Sequence, residues 1–394
     1  MSLIPETTRM FIDVACSQKK KYNQNAYGDF FASNRFPNMN RIVAVLSDGL
    51  GSGIKANILA CMTATMLLKF MENHSDIEKS CEIIMNSLPV CKVRGISYST
   101  FSAIDCFEDG NAKIVEEGNP DFIWIRNNEV LNPEFQTIQS KTFKNRKMKV
   151  YNIKLEKYDR IIFCSDGATQ VAMGSKEYPL GLERDGLIKI ILCQLKQNPE
   201  ISSKDLSESL VQQIQFIAPK RELKDDTSIL SIYCRDPRES LIFTGPPFHS
   251  EKDGFYAKTF MDFKGKKAIS GGTTANIISR ELNIPVTTDI STNRGKLPGL
   301  LKMEGVDLVT EGILTLTKTL EYLQRSECEN DAAKVLMDFL LDSDVINFLV
   351  GAQMNKAHYD PNLPVEIEIR KNVMKQIAKV LEEKYLKKVK VQFI

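Results

Sequence analysis

Apolar residues recur along the chain with two different periods. The run Arg41-Ile-Val-Ala-Val-Leu46 is rich in β-branched residues and has no polar interruption, the pattern of a strand buried on both faces. It stops at Ser47-Asp-Gly-Leu-Gly-Ser-Gly53, a flexible turn, and the period then changes. Ile54, Ile58, Cys61, Thr65 and Leu68 follow at spacings of three and four, and so do Ile77, Cys81, Ile84, Met85 and Leu88. Two amphipathic helices are therefore expected, with those residues on the buried faces. Ser75-Asp-Ile-Glu78 has the form of a capping box, in which the serine bonds the third helical amide and the glutamate reaches back. It places a break between the helices near His74.

Around this pair the pattern reads as strand. Residues 10–16 make one strand, and residues 97–170 read as several. Turns are expected at Asp109-Gly110 and Asn127-Asn128. A second uninterrupted run, Arg160-Ile-Ile-Phe-Cys164, ends in Ser165-Asp-Gly167. A helix is expected over about 203–217, with Leu206, Leu210, Ile214 and Ile217 on one face, and then a charged loop leads to the strand Thr227 to Tyr233. Composition shifts after Asp236-Pro-Arg238, and Pro246-Pro247 lies just beyond, so a boundary falls near 237–245. This gives domains at 1–236 and 237–394. The second alternates strand and helix patterns, as in an α/β domain. Lys267 to Ser270 leads through Gly271-Gly272 to a helix from about Thr274, and Val306 to Thr310 precedes a helix bearing Ile313, Leu316, Leu320 and Leu323. Val365, Ile367 and Ile369 alternate as in a strand, Val373, Ile377 and Leu381 return to helical spacing, and Val389, Val391 and Phe393 alternate again.

Composition narrows the function classes. Apolar residues make up 43 % and charged residues 26 % of the 394 positions, which excludes a disordered or fibrous chain. Lys plus Arg is 52 and Asp plus Glu is 50, a net charge of +2 that exerts no global pull on nucleic acid or anionic membrane. Function must then sit in a local site. The nine cysteines contain no Cys-x-x-Cys pair and the three histidines are far apart, which disfavours a zinc or His-ligated centre. The N-terminus has no basic stretch followed by an apolar one, and the apolar stretch 58–71 is interrupted by Thr63, Thr65 and Lys69. A cytoplasmic protein that spans no membrane is expected.

The chemistry lies in a repeated feature. An apolar strand ends in Ser-Asp-Gly at 47–49 and again at 165–167. A carboxylate there is held rigidly, and the glycine allows close backbone approach. Gly28-Asp29 and Asp225-Asp226 add two further acidic points at strand ends. Each alone is an ordinary turn; four of them without His or Cys make a hard oxygen donor set suited to Mg²⁺ or Mn²⁺. Clustered, such carboxylates repel one another unless cations neutralise them, and two ions at roughly 3.5–4 Å would clamp a phosphoryl group.

Taken in order, Asp29, Ser47-Asp-Gly-Leu-Gly-Ser-Gly53, Gly118-Asn-Pro-Asp-Phe-Ile-Trp-Ile-Arg126, Phe163-Cys-Ser-Asp-Gly-Ala-Thr169 and Asp225-Asp-Thr-Ser-Ile229 resemble the metal-dependent Ser/Thr protein phosphatases (PPM, type 2C), closest to the bacterial SpoIIE-like branch. The resemblance covers about residues 9–235. It implies an αββα sandwich of two antiparallel sheets and a binuclear Mn²⁺ or Mg²⁺ centre, with a third ion as an option. It implies hydrolysis of phosphoserine or phosphothreonine by a metal-bridging water. Carried over by motif, the metal ligands are Asp29, Asp48, the Gly49 carbonyl, Asp166 and Asp225, with Asp226 as the alternative to Asp225. The implied partner is a phosphorylated protein, in this branch often anti-anti-sigma-like, with no nucleic acid and no membrane; a homodimer is left open. The branch also uses the first helix pair as a switch for metal recruitment, with Ile58 and Ile84 in its core. Two features depart from the eukaryotic members: Leu50 stands where they carry a histidine, and no arginine lies between Arg9 and Arg35. Lys19, Lys20 and Lys21 are the basic residues that could attract a phosphate instead. The alternatives are a phosphatase-like scaffold without turnover and a phosphatase of a small phosphorylated metabolite.

The segment 237–394 lies outside the resemblance. Gly271, Gly272, Thr273 and Thr274 form a strand-to-helix turn of the kind that binds anions, and Glu311 sits in a second such turn. If the two strands are parallel neighbours, both turns share the carboxyl edge where open α/β sheets bind ligands. A ligand-sensing or partner-docking domain is expected.

Overall fold

A computed structural model describes residues 10–72, 77–87, 99–139, 147–288, 300–325, 328–352 and 364–394. They divide into two compact units, Thr8–Asp236 and Pro237–Ile394. The expected capping box at Ser75 and break near His74 lie outside the described residues.

The first unit runs β1 (Phe11–Lys19), β2 (Asp29–Phe36), β3 (Arg41–Gly49), α1 (Ile54–Glu72), α2 (Ile77–Ser87), β4 (Ser99–Phe107), β5 (Asn111–Glu117), β6 (Ile123–Arg126), β7 (Glu129–Leu131), β8 (Gln136–Gln139), β9 (Lys147–Lys154), β10 (Arg160–Cys164), α3 (Asp166–Thr169), α4 (Glu183–Gln197), α5 (Ser203–Ile217) and β11 (Thr227–Arg235). Its strands form two antiparallel sheets, ordered β1-β11-β10-β6-β7 and β2-β3-β4-β5-β9-β8. Strand alternation divides each sheet into two apolar faces. Val43, Val45 and Phe101 pack under Ala64, Leu67 and Met71 of α1 and Ile84 of α2. Ile162, Cys164 and Ile229 pack under Leu187 and Ile191 of α4 and Leu206 and Leu210 of α5. The residues between them in sequence, Ile42 and Leu46 on β3, Ile161 and Phe163 on β10, Leu230 and Ile232 on β11, are also fully buried, so the sheets meet through them. The layers are helix, sheet, sheet, helix. Each such side chain contributes about 1.5–3 kcal/mol on burial.

The face of α1 differs from expectation. Its buried residues are Ala56, Ala60, Thr63, Ala64, Leu67 and Met71. Ile54 and Ile58 point to solvent, Ile58 at 52 % exposure, whereas Ile84 on α2 is buried. Small residues face the sheet because α1 starts hard against the end of β3, and the alanines permit that approach. By length and composition α1 is the one described helix apolar enough to cross a membrane, and a third of that apolar stretch is buried in this fold.

The second unit runs β12 (Glu239–Thr244), α6 (Asp253–Met261), β13 (Lys266–Ser270), α7 (Gly272–Leu282), β14 (Val286–Thr288), β15 (Leu301–Met303), β16 (Leu308–Thr310), α8 (Ile313–Arg325), α9 (Ala332–Asp342), β17 (Val345–Val350), α10 (Pro364–Glu383) and β18 (Lys388–Phe393). Its sheet has the order β14-β15-β16-β13-β12-β17-β18. From β16 to β18 every neighbour is parallel, while β14 and β15 pair antiparallel at one edge. The chain leaves β12 toward β13 and β16 on one side, and returns to β17 and β18 on the other. This is a doubly wound sheet. One face packs on α6 and α7 through Ala257, Phe260, Ala275 and Ile278, and the other on α8, α9 and α10 through Leu316, Leu336 and Ile377. The strand expected at Val365 to Ile369 is instead the first part of α10. Pro364 explains the difference, because proline suits the first helical position, where no intrahelical N–H bond is lost.

Candidate metal centre

The β2–β3 ladder sets the site. Its register runs from Phe36 opposite Arg41 to Asp29 opposite Asp48, so two acidic residues face each other on the last rung. Asp29 is 2 % exposed and Asp48 is partly buried. The carboxyls of the two lie within hydrogen-bonding reach of each other. Asp166 opens the short helix α3 just after β10, and Asp225 precedes β11. Strand ends from both sheets thus deliver the four carboxylates to one region.

Three of the charges act on the fourth carboxyl. Burial pushes the Asp48 carboxyl far above the usual carboxylate range, and the charges of Asp29, Asp166 and Asp225 push it further. Asp29 is raised by burial and by Asp226 and Asp225, against hydrogen bonds from Ser228 and Ser165 that lower it. Asp225 is raised by burial and Asp166, against the Asp226 backbone amide and Lys21. A centre in this state lacks positive charge, and its donors are hard oxygens, so the residues present fit a divalent cation of the Mg²⁺ or Mn²⁺ type. Among the described residues, no three His, Cys, Asp or Glu side chains converge as a ready ligand shell.

Asp225 and Asp226 have different tasks. Asp226 accepts the Lys21 amide on one oxygen at 3.0 Å and the Gly28 amide on the other at 2.8 Å. It ties the loop before Asp29 to the start of β11. As an alternative metal ligand it is therefore the weaker of the two, since both its oxygens are engaged. Asp225 uses one oxygen for the Asp226 amide at 2.9 Å. Gly49 ends β3, buried, with its N–H donating to the Gly28 carbonyl at 3.3 Å. A methyl group added at Gly49 would lie 2.7 Å from the Ala56 carbonyl carbon, so glycine is what lets α1 begin against the site. Of the three lysines, Lys21 is half-buried with its charge acting on Asp225. Lys20 reaches the Asn25 carbonyl at 3.4 Å, and Lys19 is exposed at the end of β1.

Several supporting residues escape a reading of the sequence. The Ser228 hydroxyl donates to Asp29 Oδ2 at 2.5 Å, and the Gln18 amide donates to Ser228 Oγ at 2.9 Å. Gln170 Nε2 donates to Asp166 Oδ2 at 3.0 Å. Ser99 Oγ donates to the Asp48 carbonyl at 3.0 Å. Thr100, opposite Asp48 on β4, shares a short hydrogen bond of 2.5 Å with Asn119 of the Gly118-Asn-Pro-Asp segment. Ser228, just after Asp225-Asp226, and Gln170, one helical turn after Asp166, lie near the acidic points in sequence; Gln18, Ser99 and Thr100 are brought there by strand register.

In the second unit, β13 and β16 are parallel neighbours, and the Gly271 amide donates to the Thr310 carbonyl at 2.9 Å. Gly271, Gly272, Thr273 and Thr274 therefore lie beside Glu311 on one sheet edge.

Comparisons with known proteins bear on the first unit. The chain is similar to the phosphatase domain of SpoIIE from Bacillus subtilis, at 14 % identity over 59 % of this chain and 95 % of that one, with a TM-score of 0.43. It is similar to RsbX, solved in complex with magnesium, at 20 % identity over 57 % of this chain and 95 % of that one, with a TM-score of 0.40. It is also similar to a serine/threonine phosphatase of S. agalactiae, at 14 % identity over 57 % and 99 % of the two chains, with a TM-score of 0.39. No curated protein matches it. The model of the family described as stage II sporulation protein E matches residues 38–235, half of the chain, a stretch that holds Asp48, Asp166 and Asp225 and begins after Asp29. On that match the chain belongs to the SpoIIE family, a branch of the PPM phosphatases.

Proposed function

We propose that the first unit is a metal-dependent phosphoprotein phosphatase that hydrolyses phosphoserine and phosphothreonine in bacterial signalling. The observation that carries this is the meeting of four carboxylates from two sheets, with Asp29, Asp166 and Asp225 all raising the proton affinity of Asp48. Such an arrangement costs stability in the free protein, and bound cations would relieve it. Asp29, Asp48, Asp166 and Asp225 would hold two Mn²⁺ or Mg²⁺ ions, with the Gly49 carbonyl assisting. When bound, such ions supply Lewis acidity and positive charge to a phosphoryl group.

The chain's own residues do the rest. Ser228, held by Gln18, keeps the Asp29 carboxylate turned toward Asp48. Gln170 does the same for Asp166. Lys21, beside Asp225, is the cation placed to meet a phosphate that enters from the loop side. Leu50 follows Gly49, so no imidazole stands there, and water or another group donates the proton to the leaving oxygen. The substrate class is a phosphorylated protein, with an anti-anti-sigma-like protein the first to try.

The test is hydrolysis of p-nitrophenyl phosphate with Mn²⁺ by the full chain and by Asp48→Ala and Asp166→Ala. Metal-dependent turnover in the wild type, lost by at least about a hundredfold in both variants, is expected. Comparison of a phosphoserine protein with small phosphate esters then separates a protein phosphatase from a metabolite phosphatase. One observation favours a second reading, a phosphoprotein-binding scaffold: no three described side chains converge as a closed ligand shell. Wild-type turnover no greater than that of the variants assigns the chain to that class.

A further inference from the structure

We propose that the carboxyl edge of the second unit's sheet is a binding site for a phosphate group, carried by a phosphorylated small molecule, at the turn between β13 and α7. The doubly wound order puts the start of α7 and the start of α8 at the ends of neighbouring parallel strands. Each helix N-terminus presents main-chain amides and the positive end of its dipole. The first intrahelical bond of α7 runs from the Ala275 amide to the Gly271 carbonyl at 3.0 Å, so the amides of Gly272 and Thr274 precede it. Gly271 caps the helix with φ +137°, where a side chain is strained, and its own amide is spent on the Thr310 carbonyl. Beside it Gly272 faces open space, with no atom within 4 Å of where a side chain would begin. Gly312 borders the same opening, its Cβ position lying 3.7 Å from Gly271 Cα.

A second observation points to a ligand. Thr274 is fully buried, and its hydroxyl has no hydrogen-bond partner. That hydroxyl lies 3.2 Å from the Cβ position of Gly271, so it is turned into the strand-to-helix turn. Thr315, at the same third position of α8, is likewise buried with an unpartnered hydroxyl. A buried hydroxyl without a partner is costly, and a phosphate oxygen in the turn would satisfy the one on Thr274. The neighbouring hydroxyls are already committed, since Ser270 and Thr310 both donate to the Glu311 carbonyl at 3.0 Å. They fix the second turn, and the Glu311 carboxylate is left on the solvent side. The turn after β12 offers no equivalent cradle, because Pro246 and Pro247 lack N–H groups.

The test is equilibrium dialysis of radiolabelled inorganic phosphate, and separately of AMP, against the full chain in EDTA, which keeps the acidic centre free of metal. Wild type and Asp48→Ala are expected to bind alike. Gly272→Glu fills open space with a carboxylate and favours the helix start electrostatically, so it should fold normally and lose binding by more than about tenfold. Thr274→Val keeps the shape and removes the hydroxyl, and should weaken binding about tenfold with an unchanged melting temperature. Tighter binding of AMP than of inorganic phosphate identifies a phosphomonoester as the ligand. The proposal is overturned if neither probe binds the wild type, if both variants bind like wild type, or if Asp48→Ala removes the binding. It does not depend on phosphatase activity, so either reading can fail without the other.

Discussion

Gly49→Ala tests whether the start of α1 and the acidic rung are one mechanical unit. The added methyl would lie 2.7 Å from the Ala56 carbonyl carbon, where ordinary contact begins at 3.4 Å. The obstruction is main chain, so no rotamer change relieves it. Either α1 moves outward or the end of β3 moves, by more than the 0.7 Å difference between those two distances, because the Ala56 carbonyl oxygen lies nearer still than its carbon. Overpacking of this kind costs about 1–3 kcal/mol, which for a unit of this size lowers the melting temperature by roughly 5 °C. The catalytic effect is larger in proportion. A displacement near 1 Å at the reacting groups costs about a hundredfold, so a fall of roughly 10- to 100-fold in Mn²⁺-dependent p-nitrophenyl phosphate hydrolysis is expected. Thermal melts in EDTA measure the first effect and initial rates at saturating Mn²⁺ the second. Adding Ala56→Gly should not restore activity, because it leaves the obstructing carbonyl in place. Wild-type turnover and melting temperature in Gly49→Ala, or rescue by Ala56→Gly, would refute the reasoning.

Two further outcomes follow from named contacts. Burial, helped by the charge of Asp121, pushes the Glu116 carboxyl up to about 8, so the folded protein holds a proton that the unfolded chain releases near 4.5. The associated stability is fully present below pH 4.5 and is lost as pH rises through 8. Between pH 5 and 7 the loss is about 2.5 kcal/mol, and Glu116→Gln should flatten that part of the profile in urea unfolding; an unchanged slope would contradict it. Ser228→Ala removes the hydrogen bond to Asp29 Oδ2 and should raise the Mn²⁺ concentration for half-maximal activity by roughly 10-fold, with Ser228→Thr closer to wild type. Identical Mn²⁺ titrations for Ala and wild type would rule out the positioning role.

Much of the αββα sandwich is legible in the chain because its strands are unbroken runs such as Arg41–Leu46 and Arg160–Cys164, with turn residues at their ends. The acidic points at Asp48 and Asp166 stand out for the same reason. The buried face of α1 is illegible because two criteria compete. Ile54 and Ile58 are the larger apolar residues and keep helical spacing, but closeness to β3 selects Ala56, Ala60 and Ala64 instead. α4 escapes because its buried residues are interleaved with Glu183, Arg184, Asp185 and Lys189, and no cap residue marks its start. The separate tasks of Asp225 and Asp226 are invisible until the loop 21–28 is seen folding back onto β11. Gln18 lies 210 positions from Ser228, and only the β1–β11 register brings them together.

The β2–β3 hairpin closes at Phe36 and Arg41, so Asp29 and Asp48 sit at its open end. Two carboxylates facing across a ladder weaken it when both are ionised. The ladder carries its paired carboxyls at the open end, away from the turn. On the proposed reading, cation occupancy and closure of that rung would form a single equilibrium, and whatever holds the open end shut would also set how readily an ion is kept. A segment that bears on the Gly28–Asp29 end, such as the loop pinned by Asp226, would then tune retention of the proposed ion without contributing a ligand.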